Sequence, residues 1–133
     1  MYGVVLSWYD TDIAVVTLLG EHDFRSKDEL AEALRAPLVA RDLLVVDLSE
    51  TELIDSSVIQ NLFEIHCFAW EQGLKVALQV DPESHVTRVL ESAGVTRSVP
   101  CAETRDGAAA LARLDDYLPS AGGENRRPRS YSS

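Results

Sequence analysis

Two cysteines in 133 residues are too few for a disulfide framework. Cys67 and Cys101 also lack the short spacing of a zinc site or a redox pair, so a reducing compartment would leave both as packing thiols, one in a helix and one in a loop. Long apolar runs are missing as well. The opening stretch Tyr2 to Tyr9 is apolar but short, and Asp10 and Asp12 follow at once. Neither a signal peptide nor a membrane span is readable there, so a cytoplasmic protein with no direct membrane insertion is expected. No glycine-rich phosphate loop, dinucleotide fingerprint or nucleophile-elbow motif occurs, which argues against nucleotide chemistry or serine hydrolysis by this chain.

Basic residues are scarce. Lysine and arginine number 12 against 22 acids, a formal charge of −10. Residues 119–133 carry three arginines and one glutamate, leaving −12 on residues 1–118. A body this acidic repels nucleic acid and anionic lipid and favours a basic partner face. The apolar share of 46% is that of an ordinary globular domain, and the length suits one domain.

What is present centres on residues 43–62. Leu43 to Leu48 reads as a buried strand. The link Glu50 to Ile54 follows, and apolar residues at 58, 59, 62, 65 and 69 then mark a helix. Between them lies Asp55-Ser56-Ser57. Ser57 with Gln60 has the spacing of a capping box. That would leave Ser56 with a free hydroxyl near the positive end of the helix dipole, where a phosphate is favoured. Asp55 beside it opposes a dianion, so a phosphate on Ser56 would change the local charge strongly.

These residues resemble the signature of the STAS family, found in anti-sigma factor antagonists and in the cytoplasmic parts of sulfate transporters. Asp47-Leu48-Ser49 is similar to its strand ending, and Asp55-Ser56-Ser57 to its Asp-Ser-Ser. Glu21 and Asp23 resemble its Gly-Glu-Leu-Asp, and Lys75 to Gly94 its later strand, helix and Gly-Val ending. The likeness spans roughly residues 1 to 117.

Strands alternating with helices predict an α/β domain over residues 1–118, a mixed sheet of four to five strands packed with about four helices, which agrees with the family's architecture. Residues 119–133, with proline, glycine, serine and arginine and almost nothing to bury, are expected to be a disordered tail. The resemblance implies that the chain is a binding module with no cofactor of its own. An anti-sigma factor serine kinase would bind it and use ATP and Mg²⁺ to phosphorylate Ser56, and a metal-dependent Ser/Thr phosphatase would reset it. The partner surface would comprise Glu21, Asp23, Asp55, Ser56, Ser57, Val58, Ile59 and Phe63. Two family glycines are Val58 and Gln60 here. Glycines at a modification site admit a close backbone approach, and a branched valine would obstruct it. This favours an alternative, a non-phosphorylated STAS adaptor subunit of a signalling complex or a lipid-transport assembly.

Read in order, Tyr2–Tyr9 and Ile13–Leu19 form a hairpin about Asp10-Thr11-Asp12, with Gly20 ending the second strand. Ser26 and Glu29 predict a capping box for a helix with Leu30, Ala33 and Leu34 inward, stopped before Pro37. Lys75–Val80 is a strand. Asp81-Pro82 starts a helix with Val86, Val89, Leu90 and Ala93 inward, closed by Gly94. A short strand near Ser98–Pro100 precedes a helix capped by Thr104 or Asp106, with Ala109, Leu111, Leu114 and Leu118 apolar.

The central helix carries two apolar stripes. Val58, Leu62, Ile65 and Ala69 form one, and Ile59, Phe63, His66 and Trp70 the next, wider than one sheet contact requires. Either a neighbouring helix covers the excess or it contributes to a partner surface. His66 lies ten residues beyond Ser56, about 15 Å along a helix, too far to act as its base. Asp47 and Asp55 could hold a metal, yet no third ligand is spaced with them. The chain is therefore not expected to be an enzyme.

Overall fold

A computed structural model describes residues 2–114. Leu118 and the tail over 119–133 lie outside the described residues.

The hairpin forms as expected. Strand β1 (Tyr2–Asp10) pairs antiparallel with β2 (Ile13–His22). Strand β2 does not end at Gly20. The glycine takes φ 78°, a left-handed conformation that costs a residue without Cβ little, and the strand bends and continues. Its first half pairs parallel with β3 (Leu43–Asp47), and its last residues pair parallel with β4 (Thr51–Ile54). The sheet continues from β3 through β5 (Val76–Gln79) to β6 (Cys101–Ala102), all parallel. It therefore has six strands, where four to five are expected from sequence. The extra strand is β4, read from sequence as a link. It is fixed by Thr51, whose hydroxyl donates to the Leu18 carbonyl at 2.7 Å. The last strand lies just beyond Ser98–Pro100 and places Cys101 in the sheet instead of a loop.

Helix α1 (Lys27–Val39) runs through Pro37. The proline falls in the last turn, where little of the hydrogen-bond ladder remains to be lost, and its ring is buried beside Leu38. Ser26 makes no side-chain cap bond to α1; its hydroxyl donates to the Asp23 carbonyl at 3.1 Å. Helix α2 is Ser56–Glu71. Helix α3 begins at His85, not at Pro82, because the Ser84 hydroxyl accepts from Val86 N. Asp81 instead closes a turn by accepting from Glu83 N at 2.9 Å. Gly94, at φ 83°, ends α3 (His85–Ser92) as expected and leads into α4 (Val95–Ser98). Thr104 caps α5 (Arg105–Arg113).

The main core lies on one sheet face, beneath α1 to α4. Leu30, Leu34 and Leu38 meet Val58, Leu62 and Ile65 over Val16, Leu18, Leu44 and Val46. Each such side chain contributes roughly 1.5–3 kcal/mol by leaving water. The other face is covered by α5, whose Ala108, Ala109 and Ala112 lie over Ile13, Val15, Val45 and Ala77. Ion pairs flank that thin contact. Arg105 holds the buried carboxylate of Asp47 at 2.6 Å, and Arg113 reaches Asp12 at 2.7 Å and Asp10 at 3.1 Å.

Candidate functional site

The start of α2 is built by Asp55, not by Ser57. Asp55 is extended and stands at the N-cap. Its Oδ1 accepts from Ser57 N at 2.9 Å and from the Ser57 hydroxyl at 2.5 Å. The expected Ser57–Gln60 capping box is absent. Asp55 already satisfies Ser57 N, and Gln60 turns outward to accept from Lys27 Nζ at 3.0 Å and donate to Glu64. Asp55 Oδ2 accepts from Phe24 N at 3.0 Å, which ties the short 3₁₀ turn Phe24–Ser26 to the mouth of α2.

Burial works to raise the Asp55 pKa, but bonds from the Ser57 hydroxyl and from Ser57, Val58 and Phe24 N–H groups outweigh it. The carboxyl is held below its ordinary range.

Ser56 occupies the first helical position and is exposed. Among the described residues, no group hydrogen-bonds its hydroxyl. It stands at the positive end of a sixteen-residue helix that buries its opposite side. Neither His22 nor His66 serves it as a base. His22 is buried, with Nε2 at 3.1 Å from the carbonyls of both Gly3 and Leu19. His66 lies far along α2, its pKa lowered by burial and by the Lys75 charge. Among the described residues no three metal-ligating side chains converge. The arrangement presents an accessible hydroxyl at the N-terminus of a long helix, held by a capping carboxylate.

The other candidates divide between surface and interior. Glu21 is exposed on β2 opposite Leu53 of β4. Asp23 caps the 3₁₀ turn, and its pairing with the Arg25 guanidinium holds its carboxyl below the usual range. Ile59 and Phe63 are half-buried against the core. Ser57 and Val58 are buried, Val58 to 1%, so they support the surface from beneath. The valine side chain does not stand in the way of an approach to Ser56.

Sequence reading misses two residues. Phe24 is 71% exposed and Leu53 48%, and both flank the start of α2. A lone phenylalanine in the polar run His22 to Lys27 has no periodicity to mark it. The only available signal is an aromatic side chain with no apolar neighbours at helical or strand spacing.

Known proteins share this fold. An anti-sigma factor antagonist from Mycobacterium paratuberculosis superposes with a TM-score of 0.75 at 20% identity, over 86% of this chain and 96% of that one. The phosphorylated form of the Bacillus cell fate determinant SpoIIAA gives 0.63 at 15% identity, over 84% and 100%. A sulfate transporter family protein from Wolinella succinogenes gives 0.62 at 17% identity, over 79% and 88%. The sequence matches no curated protein. The STAS domain family model matches residues 9–108, a span that holds the parallel sheet, the Asp55 cap and Ser56. The chain belongs to the STAS domain family.

Proposed function

We propose that this protein is an anti-sigma factor antagonist that works as a partner switch through reversible phosphorylation of Ser56. The observation that carries the reading is the exposed hydroxyl of Ser56 at the N-terminus of α2, beside a carboxylate already committed to holding two segments together. Unphosphorylated, the surface made by Phe24, Leu53, Ile59 and Phe63 with Glu21 and Asp23 binds a kinase-type anti-sigma factor. The acids favour a basic rim on that partner, and the apolar side chains favour a hydrophobic centre. The partner, which binds ATP, transfers the phosphoryl group to Ser56. The new charge of nearly −2 sits beside Asp55 and near Asp23 and repels any acid facing it, which breaks the complex. A metal-dependent phosphatase restores the hydroxyl. This chain supplies the acceptor and the surface, not the catalysis. The likeness to a solved antagonist in phosphorylated form supports this reading.

The test is phosphopeptide mapping of the protein from its own cells under changing conditions, together with partner binding by Ser56→Ala and Ser56→Asp. A stoichiometric phosphate on Ser56 that varies with condition is expected, with Ser56→Ala binding constitutively and Ser56→Asp weakly. A Ser56 that is unmodified in every condition, in cells where Ser56→Ala regulates normally, overturns the reading.

One observation favours a second reading. Gln60 replaces a family glycine and is bound to Lys27, so the surface beside Ser56 is less open than a glycine would leave it. A STAS adaptor that is never phosphorylated would co-purify stably with transporter or signalling subunits instead of with an ATPase-type kinase.

A further inference from the structure

The two ends of the sheet are finished differently. Strand β6 is two residues long, too short to template another strand. Strand β1 runs for nine residues, and among the described residues no strand pairs with its outer edge. Natural edges are blunted by charge, by proline or by a bulge. Residues 2–9 contain no charged side chain and no proline, in a chain of which 26% of the residues are charged. The break in register falls between Trp8 and Asp10, so residues 2–8 stay regular.

Alternation puts Tyr2, Val4, Leu6 and Trp8 on one face of this edge. It is the face of the main core, since Val4 packs against that core and the Tyr2 hydroxyl donates to Glu29 of α1 at 2.7 Å. Yet Leu6 is 56% exposed and Trp8 55%. On the opposite face Val5 is 46% exposed, between Gly3 and Ser7. Open apolar side chains thus run beside a row of backbone N–H and C=O groups that no described strand answers. The edge shares no residue with the surface proposed to meet the anti-sigma factor.

We propose that this edge pairs antiparallel with β1 of a second copy of the chain, about a two-fold axis at Val5. That register overlaps all the regular residues, 2–8. It sets Tyr2 opposite Trp8 of the second copy, Val4 opposite Leu6, Gly3 opposite Ser7 and Val5 against itself. Aromatic and aliphatic cross-strand pairs stabilise a sheet, and no like charges meet, because Asp10 and Asp12 lie beyond the overlap. Aromatic side chains carry roughly 150–250 Å² each, so the open parts of Tyr2, Val5, Leu6 and Trp8 with the backbone edge come to roughly 500 Å² per copy. The pair then buries about 1,000 Å², the lower limit for a specific interface, and the dimer is a weak one. The pairing is isologous and consumes both β1 edges. It leaves the two-residue β6 at each end of the joined sheet, so assembly stops at two copies.

The experiment is sedimentation equilibrium of the full chain from about 1 μM to about 1 mM, with amide NMR shifts followed over the same range. A monomer–dimer equilibrium with Kd on the order of 10–100 μM is expected, with concentration-dependent shifts centred on residues 2–8. Isotope-filtered NOEs in a mixture of labelled and unlabelled protein should connect Tyr2 of one copy with Trp8 of the other. Leu6→Lys and, separately, Trp8→Lys place a charge on side chains that are already more than half exposed. Each should keep the wild-type circular dichroism spectrum and weaken dimerisation at least about tenfold. A monomer at about 1 mM, growth beyond two copies, NOEs in another register, concentration-dependent shifts outside β1, or a dimer unaffected by both substitutions would each overturn the assignment.

Discussion

Asp55 Oδ2 accepts a hydrogen bond from the backbone N–H of Phe24 at 3.0 Å, while its Oδ1 caps the helix that begins with Ser56. One carboxylate thus joins the helix that begins with Ser56 to the turn that presents the most exposed of the large apolar side chains described. Charge placed on Ser56 acts on the same group that orients Phe24.

Removing that carboxylate should loosen both segments. Asp55→Ala should lower the unfolding free energy by about 1–2 kcal/mol, the cost of a lost N-cap. The Phe24 amide should exchange faster with solvent. Urea denaturation with hydrogen exchange resolved at Phe24 measures the two effects together. Unchanged exchange at Phe24 would separate the turn from the cap.

The same group sets an acid limit. Its folded pKa lies below its unfolded value, so its contribution is complete above the ordinary carboxylate range near ~3.9 and is lost as pH falls through the lower folded value. The stability gap between the wild type and Asp55→Asn should therefore be widest at neutral pH and shrink on acidification. Urea midpoints for both proteins between neutral pH and the acid limb measure it. A gap that widens toward acid would contradict the assignment.

Arg105 faces a buried carboxylate. The Asp47 side chain is 2% exposed, and its other oxygen accepts from Ser49 N and the Ser49 hydroxyl. Arg105→Ala strands the charge only in part, because the Ser49 donors stay and the guanidinium is 38% exposed. The expected loss is about 2–3 kcal/mol, below the full cost of breaking a wholly buried pair. Asp47→Asn combined with Arg105→Ala should cost less than the sum of the two single changes, which a double-mutant cycle reads directly.

At Gly20 the positive φ is the argument. An alanine there adopts φ 78° at a cost of about 1–2 kcal/mol. Gly20→Ala should destabilise the protein by that amount and weaken amide protection in Thr51–Ile54, whose strand pairs across the bend.

The hairpin and the inward stripe of α2 are legible in the sequence because hydrophobic period alone dictates them: Val58, Leu62, Ile65 and Ala69 are all in the core. The site's cap is not legible to the residue. Asp55, Ser56 and Ser57 are all competent N-caps; the choice falls on Asp55, which also reaches Phe24 N, 31 positions earlier. No local pattern carries that contact. Strand β4 escapes for a similar reason. Its burial runs in, out, out, in, without alternation, and its partner is the half of β2 that lies beyond the bend at Gly20. Pro37 misleads because the rule against interior proline weakens in a last turn that buries Leu38.

The clasp between α5 and the hairpin joins residues nearly the whole described chain apart: Tyr9 with Asp106, 97 positions on, and Asp10 with Arg113, 103 positions on. Among the described elements the hairpin is synthesised before the rest and α5 after them. Until that helix leaves the ribosome, Ile13, Val15 and Val45 have no cover on their α5 face. A domain caught before α5 is made therefore has an apolar sheet face bare, open to chaperones and to other unfinished chains.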